Sequence, residues 1–419
     1  MRVVVVGGGI GGLALGAGLR RQGFDVAVFD RDTDVTATGG YHITLDGRAQ
    51  AALRGLIAPE LFERLLASAS ALRLRERDAF WDRRGRLLGH GPDLSTESSV
   101  DIDRITLRSL LAEAVGDGLH LGRAVTGIGR AGDGTPRALF ADGAPVPGDL
   151  LVGADGAHSL VARQLAGGPT NAPAGIIGFS GRTTMDALDP GERQRLGPRS
   201  GLAIGPRGAA LYVGFLDPVG NAVLDAPHLR MSITTGPTYI WGAMFPESAA
   251  FPESAATEPL RHLRGTELRD ALSARFREQR WHPRTLEVLD RADPHSVAAF
   301  RFNAASTKAS DLAPWPAGPV TALGDAVHAT PPTAGMGAGA AIRDAASLVE
   351  HLREAGTGET ALAVAISRFE AEMRVRGSEV LTLAMRTVRW ILATGTPLGT
   401  AATVAGTPLF AAFRRLSRR

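Results

Sequence analysis

Hydrophobic positions follow two rhythms along the chain. Short, largely apolar runs stand at residues 3–6 (Val-Val-Val-Val), 25–29, 150–152 and 320–323, and each is followed closely by Gly or Asp. Runs of this length and composition predict buried strands. Helical periodicity comes after them: over Leu13–Arg20, over Leu107, Leu110, Leu111 and Ala114, and over Ala338–Leu352 with Ile342, Ala345, Ala346 and Val349 on one face. Asp46 stands where it would cap a helix beginning near Gly47, after an extended stretch over residues 39–45. From Gly175 to Pro246 the pattern changes to medium strands separated by turns, Gly175–Thr184, Ala209–Leu216 and Leu229–Phe245, which predicts an antiparallel sheet. Residues 72–91 predict a hairpin turning at Arg84-Gly85. A helix over Glu267–Arg277 and a strand over Ser296–Asn303 lead back to the first region.

The first strand runs into Gly7, Gly9 and Gly12 at G-x-G-x-x-G spacing, with a helix directly behind. Gly7 permits the sharp turn, Gly9 the approach of a diphosphate, and Gly12 the close packing of helix on strand. The first N–H groups of that helix have no internal acceptor and face the phosphates. The second strand ends at Asp30, whose carboxylate can accept ribose hydroxyls and would repel a 2′-phosphate. These residues predict a bound adenine dinucleotide and leave FAD and NAD equally open.

Composition narrows the rest. The chain has 419 residues, enough for two or three domains, and a formal charge of +3. The basic residues are almost all arginine, with Lys308 alone as lysine, and no basic-aromatic recognition motif occurs, so no nucleic-acid partner is expected. Cysteine is absent, which excludes disulfides, thiol nucleophiles and cysteinyl-flavin links. No metal site is expected. Residues 390–413 are apolar but broken by Gly395, Pro397, Gly399, Gly406 and Pro408, which predicts C-terminal helices without stable membrane insertion. A strand starting at residue 3 leaves no room for a signal peptide, and the expected location is cytoplasmic.

Two further motifs join the first in order: Gly153-Ala154-Asp155-Gly156 with Ser159, and Gly324-Asp325-Ala326-Val327-His328 with Pro331 and Gly335-Met336-Gly337. With them the chain resembles the single-component FAD-dependent aromatic hydroxylases, the p-hydroxybenzoate hydroxylase-like flavoprotein monooxygenases, with tetracycline-inactivating and polyketide-tailoring members nearest. The resemblance covers about residues 1–355. It implies an α/β fold. A discontinuous Rossmann-like FAD-binding domain would take residues 1–70, 98–168 and 312–352. An antiparallel-sheet substrate domain would take 71–97 and 169–311, and C-terminal helices 353–419. It implies non-covalent FAD, with NAD(P)H as transient co-substrate. Gly7, Gly9, Ile10, Gly11, Gly12 and Leu13 would lie at the diphosphate, Asp30 and Arg31 at the adenosine, and Arg104 against the cofactor. Asp155 would lie close to it, Asp325 would bind the ribityl hydroxyls, and Gly335, Met336, Gly337 and Ala338 would meet the isoalloxazine. Two positions depart from the family pattern: Gly339 replaces a common Asn, and Ala162 a common Arg.

The implied reaction is oxygenation of an aromatic or polyketide-like small molecule by O2 through a flavin C4a-hydroperoxide, in a monomer or homodimer. Rival readings are a flavin dehydrogenation or Baeyer–Villiger insertion, a cyclisation around structural FAD, and a non-catalytic flavin-holding protein. Tyr239, Trp241 and Phe245 alternate onto one strand face and either line the substrate pocket, with Pro332, or pack the sheet. His158 and His328 sit inside structural motifs and are read as hydrogen-bonded core residues rather than bases, and Arg48 as a solvated helix arginine. The flavin itself is the expected catalyst.

Overall fold

The computed structural model describes residues 1–39, 41–247, 259–355 and 359–416; Gly40, within the stretch expected to be extended, lies outside them. Four of the apolar runs become neighbours in one five-stranded parallel sheet, in the order Val320–Ala322, Leu150–Gly153, Arg2–Val6, Asp25–Phe29, Leu119–His120. Both faces are buried, which is why these runs do not alternate. Val3 and Val5 point into a core shared with helices Ile10–Arg21, Arg104–Val115 and Gly337–Glu354. Val4 and Val6 point to the other side, where strands Val125–Arg130, Pro136–Phe140 and Val146–Pro147 form a small antiparallel cover.

The second sheet has seven strands, in the order Ala298–Ala304, Ala172–Thr184, Thr238–Pro246, Ala210–Leu216, Gly201–Ile204, Ala79–Asp82, Leu87–His90. It is antiparallel except between Gly201–Ile204 and Ala79–Asp82, which run parallel, a departure from the expected all-antiparallel sheet. The expected strand Leu229–Phe245 begins only at Thr238, because Gly236 and Pro237 interrupt it. One face of this sheet carries helices Gly265–Glu278 and Pro283–Asp290 over a core that includes Phe179, Phe215, Phe245 and Phe276. The other face meets helix Glu359–Gly395 through Ile176, Met244, Phe302, Val388 and Ile391. A third, three-stranded sheet, His42–Leu45, Val100–Asp103 and Ala69–Ala71, bridges the two large ones. Its His42 ring packs where a side chain on Gly214 would stand.

Helix Glu359–Gly395 is followed, past Thr396, by helix Pro397–Leu416, so Gly395 and Pro397 mark the break that the sequence placed there. Among the described residues no helix is long and apolar enough to cross a membrane, and no group of three or more His, Cys, Asp or Glu could hold a metal ion.

Candidate active site

The glycine loop is built from main chain. Gly7 has φ +106°, and a side chain on it would collide with the Ala154 carbonyl; a side chain on Gly12 would collide with the Gly7 carbonyl oxygen. Gly9 faces open space, with nothing within 4 Å of where its Cβ would be. Asp30 closes the loop from the neighbouring strand: it accepts hydrogen bonds from the N–H groups of Gly8 and, at 2.7 Å, Asp32. Arg108, buried and not singled out in the sequence, ties this together. Its Nε donates to the Gly8 carbonyl at 2.9 Å, and its guanidinium lies 2.9 Å from Asp32 and 3.6 Å from Asp30. It lies one helical turn after Arg104, on the inner side of the same helix. Arg31 is exposed beside Asp30.

Asp155 plays a supporting part. Its carboxylate accepts from the Ser159 hydroxyl and from the Leu160 N–H at 2.7 Å, which fixes the start of helix Leu160–Ala166. The carboxylate is turned to that helix, a structural role beside the glycine loop. His158 is exposed.

The third motif places Asp325 at the floor of a crevice. Its side chain is open to solvent yet walled in by protein, and this desolvation pushes its carboxyl above the ordinary value against the pull of His328 and Arg104. Thr330 N–H reaches it at 3.3 Å, and Gly337 opens beside it. Arg104 itself stacks 4.9 Å over the Tyr41 ring. Behind Asp325 lies a buried cluster. Asp344 accepts from Gly324 N–H at 3.0 Å, from His328 Nε2 at 2.6 Å and from Arg376 Nε at 2.7 Å. Burial opposes the charge on both His328 and Asp344, but their attraction outweighs it: the imidazole is raised and the carboxyl lowered. His328 is thus the core residue that the sequence implied.

The two long helices that leave this edge of the parallel sheet lie side by side and point the same way. A side chain on Gly11 would meet Ala341, and one on Gly18 would meet Val349. Neither helix has a side-chain cap at its start, Gly9 in one and Met336 in the other. Both therefore present unpartnered N–H groups and a positive end to one crevice. Gly335, at φ +65°, turns the chain into the second of them, with the Thr44 hydroxyl nearby. This cradle suits a diphosphate at one end and a flat ring with a carbonyl at the other. Pro332 is exposed at its rim.

Of the two readings left open for the aromatic residues of this strand, the structure shows packing of the sheet. Tyr239, Trp241 and Phe245 are buried beneath helices Gly265–Glu278 and Pro283–Asp290, and the Tyr239 hydroxyl donates to the Gly197 carbonyl at 2.8 Å. Alternation put them on one face, and that face is the dry one. The opposite face carries Ile240, Gly242 and Met244. Across it Ser180, Gly242 and Tyr212 stand opposite one another in register. Gly242 leaves a small hollow here, since a Cβ on it would meet nothing nearer than 3.9 Å, and the half-buried Phe300 and Met385 pack on the same face. The Tyr212 hydroxyl lies 3.2 Å from His42 Nε2, and burial with the nearby Asp101 raises its pKa. Asp101 accepts from Thr44 at 2.6 Å and from Arg75 at 3.0 Å, so this polar group reaches the cradle.

Residues 221–384 match the model of an FAD binding domain, and residues 5–51 that of an NAD(P)-binding Rossmann-like domain. The aurachin C monooxygenase/isomerase of Stigmatella aurantiaca is 30% identical over 380 residues, covering 88% of this chain and 84% of that protein. The chain belongs to the FAD-dependent monooxygenases. The chain is also 26% identical, over 417 residues, to a dual O-methyltransferase/FAD-dependent monooxygenase of Phaeosphaeria nodorum, covering 89% of the chain and 44% of that protein. It thus spans less than half the length of these dual-function relatives. Among solved structures, HpxO of Klebsiella pneumoniae in complex with FAD and uric acid shares the fold, at a TM-score of 0.74 and 22% identity, over 98% of this chain and 93% of that one.

Proposed function

We propose that this monooxygenase uses NAD(P)H and O2 to hydroxylate an aromatic or polyketide-like small molecule held between the cradle and the hollow of the seven-stranded sheet. The observation that carries the proposal is the pair of uncapped, parallel helix starts opening on one crevice, with Asp325 beside the second of them and the Thr44–Asp101 contact leading away. FAD, when bound, supplies hydride acceptance and oxygen activation. The protein's part is to bind, orient and shield. N–H groups at Gly9–Gly12 hold the diphosphate, and Asp325 accepts from the ribityl hydroxyls. The positive end of helix Gly337–Glu354 stabilises negative charge at the ring edge over Gly335–Ala338. Ser180, Gly242 and Tyr212 bound the space in which the substrate lies, with the Tyr212 hydroxyl as the polar group able to orient it. Phe300 and Met385 exclude water from its apolar side.

The related names support the chemistry, since they include hydroxylases acting on urate and an aurachin monooxygenase/isomerase. The test is aerobic turnover of the purified, FAD-loaded protein with candidate aromatic substrates. NADPH and O2 should disappear in equal amounts, and the product should be heavier by one oxygen atom. Conversion of the substrate to an isomer of equal mass, undiminished when NADPH and O2 are withheld, would overturn the proposal.

A further inference from the structure

Charge is segregated along this chain. Residues 380–419 hold six arginines, at 386, 389, 414, 415, 418 and 419, and no Asp or Glu. The preceding residues, although they hold 40 of the 46 basic side chains, carry a formal charge of −3. The start of this basic stretch also shows several large apolar side chains to solvent. On helix Glu359–Gly395, Leu383 is 43% exposed and Trp390 51%; on helix Pro397–Leu416, Leu398 is 85% exposed and Val404 44%. Leu383, Arg386 and Trp390 follow one another at intervals of three and four residues and so share a helix face, with the exposed Arg389 flanking it. The opposite face of the same helix, through Val388 and Ile391, packs under the seven-stranded sheet, so this surface lies one helix away from the proposed substrate hollow.

We propose that these C-terminal helices dock on the surface of an anionic lipid bilayer. The chemistry favours that occupant. Arginines interleaved with a tryptophan and aliphatic side chains match the boundary between lipid headgroups and acyl chains, where the indole sits at headgroup level and the cations meet phosphate. The absence of carboxylates removes any partner for a basic protein surface. A second copy of this chain would bring two stretches of like charge together. Docking of this kind lies on the membrane and requires no spanning helix.

The test is co-sedimentation of the FAD-loaded full chain with vesicles. The protein should pellet with equimolar phosphatidylcholine and phosphatidylglycerol at low salt, and should remain in the supernatant with phosphatidylcholine alone or at high salt. Trp390 is far more exposed than Trp241, Trp281 or Trp315, so docking should shift tryptophan emission to the blue, and Trp390→Phe should abolish that shift. The double variant Arg386→Gln/Arg389→Gln should bind the anionic vesicles roughly 25-fold more weakly, at about fivefold per arginine. It should keep its bound FAD and its melting temperature, which separates loss of docking from loss of fold. Failure to pellet with anionic vesicles would overturn the proposal, as would equal pelleting with neutral ones. Concentration-dependent self-association that shields Trp390 from acrylamide without lipid would assign the face to a second copy instead.

Discussion

In the proposed reaction the two large sheets would meet their ligands by opposite means. The parallel sheet offers backbone: a turn at Gly7, free N–H groups at two helix starts, and a left-handed turn at Gly335 that a side chain would strain. Side chains there, Arg108, Asp155 and Asp344 among them, hold the main chain in place. The seven-stranded sheet offers a surface whose character is set by side chains, a row of Ser180, Gly242 and Tyr212. A dinucleotide is the same molecule in every member of such a family, so a rigid main-chain mould suits it. A substrate that differs between members suits a wall that can change by single substitutions.

The sharpest way to break this comparison is to cut large side chains from each half. Trp241→Ala should destabilise the protein by about 3–5 kcal/mol in urea denaturation, with the Michaelis constant for substrate unchanged, because Trp241 is core. A shifted Michaelis constant with intact stability would return Trp241 to the pocket. Asp344→Ala should cost about 3 kcal/mol or more, since it leaves His328 and Arg376 buried without their shared carboxylate. FAD affinity should fall with it, because the Gly324 N–H loses its acceptor and Asp325 its fixed position.

Asp325→Asn should act on the ligand instead of the fold. FAD affinity should drop by about 1.5–3 kcal/mol, read by titration of apo-protein. Its pH dependence has a defined sign. Because the folded carboxyl is raised, folded apo-protein holds the proton more tightly than the unfolded chain. Its contribution to stability therefore falls as pH rises from the ordinary carboxylate range through the raised value. Denaturation of apo-protein across that window should show this slope in the parent and lose it in Asp325→Asn. The smallest effect belongs to the hollow. Tyr212→Phe should leave FAD affinity nearly unchanged, cost about 1 kcal/mol of stability through the lost His42 contact, and weaken substrate binding by about 1 kcal/mol, one neutral hydrogen bond.

The same contrast explains what could be read in the sequence. Gly7, Gly12, Gly335 and the capping Asp46 were legible because a backbone conformation or a helix start demands those residue types at those spacings. The core role of His328 followed from its place inside a motif. Arg108 was hidden because an arginine on a helix is ordinarily solvated; the available signal was its spacing of four from Arg104, directly beneath the glycine loop. Asp344 left a clearer trace, an acid amid Ile342, Ala345 and Ala346. The short strand Gly201–Ile204 carried too little pattern to stand out. Tyr239, Trp241 and Phe245 show the deeper difficulty. Alternation says which residues share a face, but the side of the sheet that receives the helices is decided by segments far away, here residues 265–290.

The crystal structure of the complex with FAD tests the central claim most directly. The diphosphate should lie against Gly9–Gly12, and the isoalloxazine should rest on Gly335–Ala338 with its open face toward Ser180, Gly242 and Tyr212. An isoalloxazine seated elsewhere, or facing away from that row, would contradict the account.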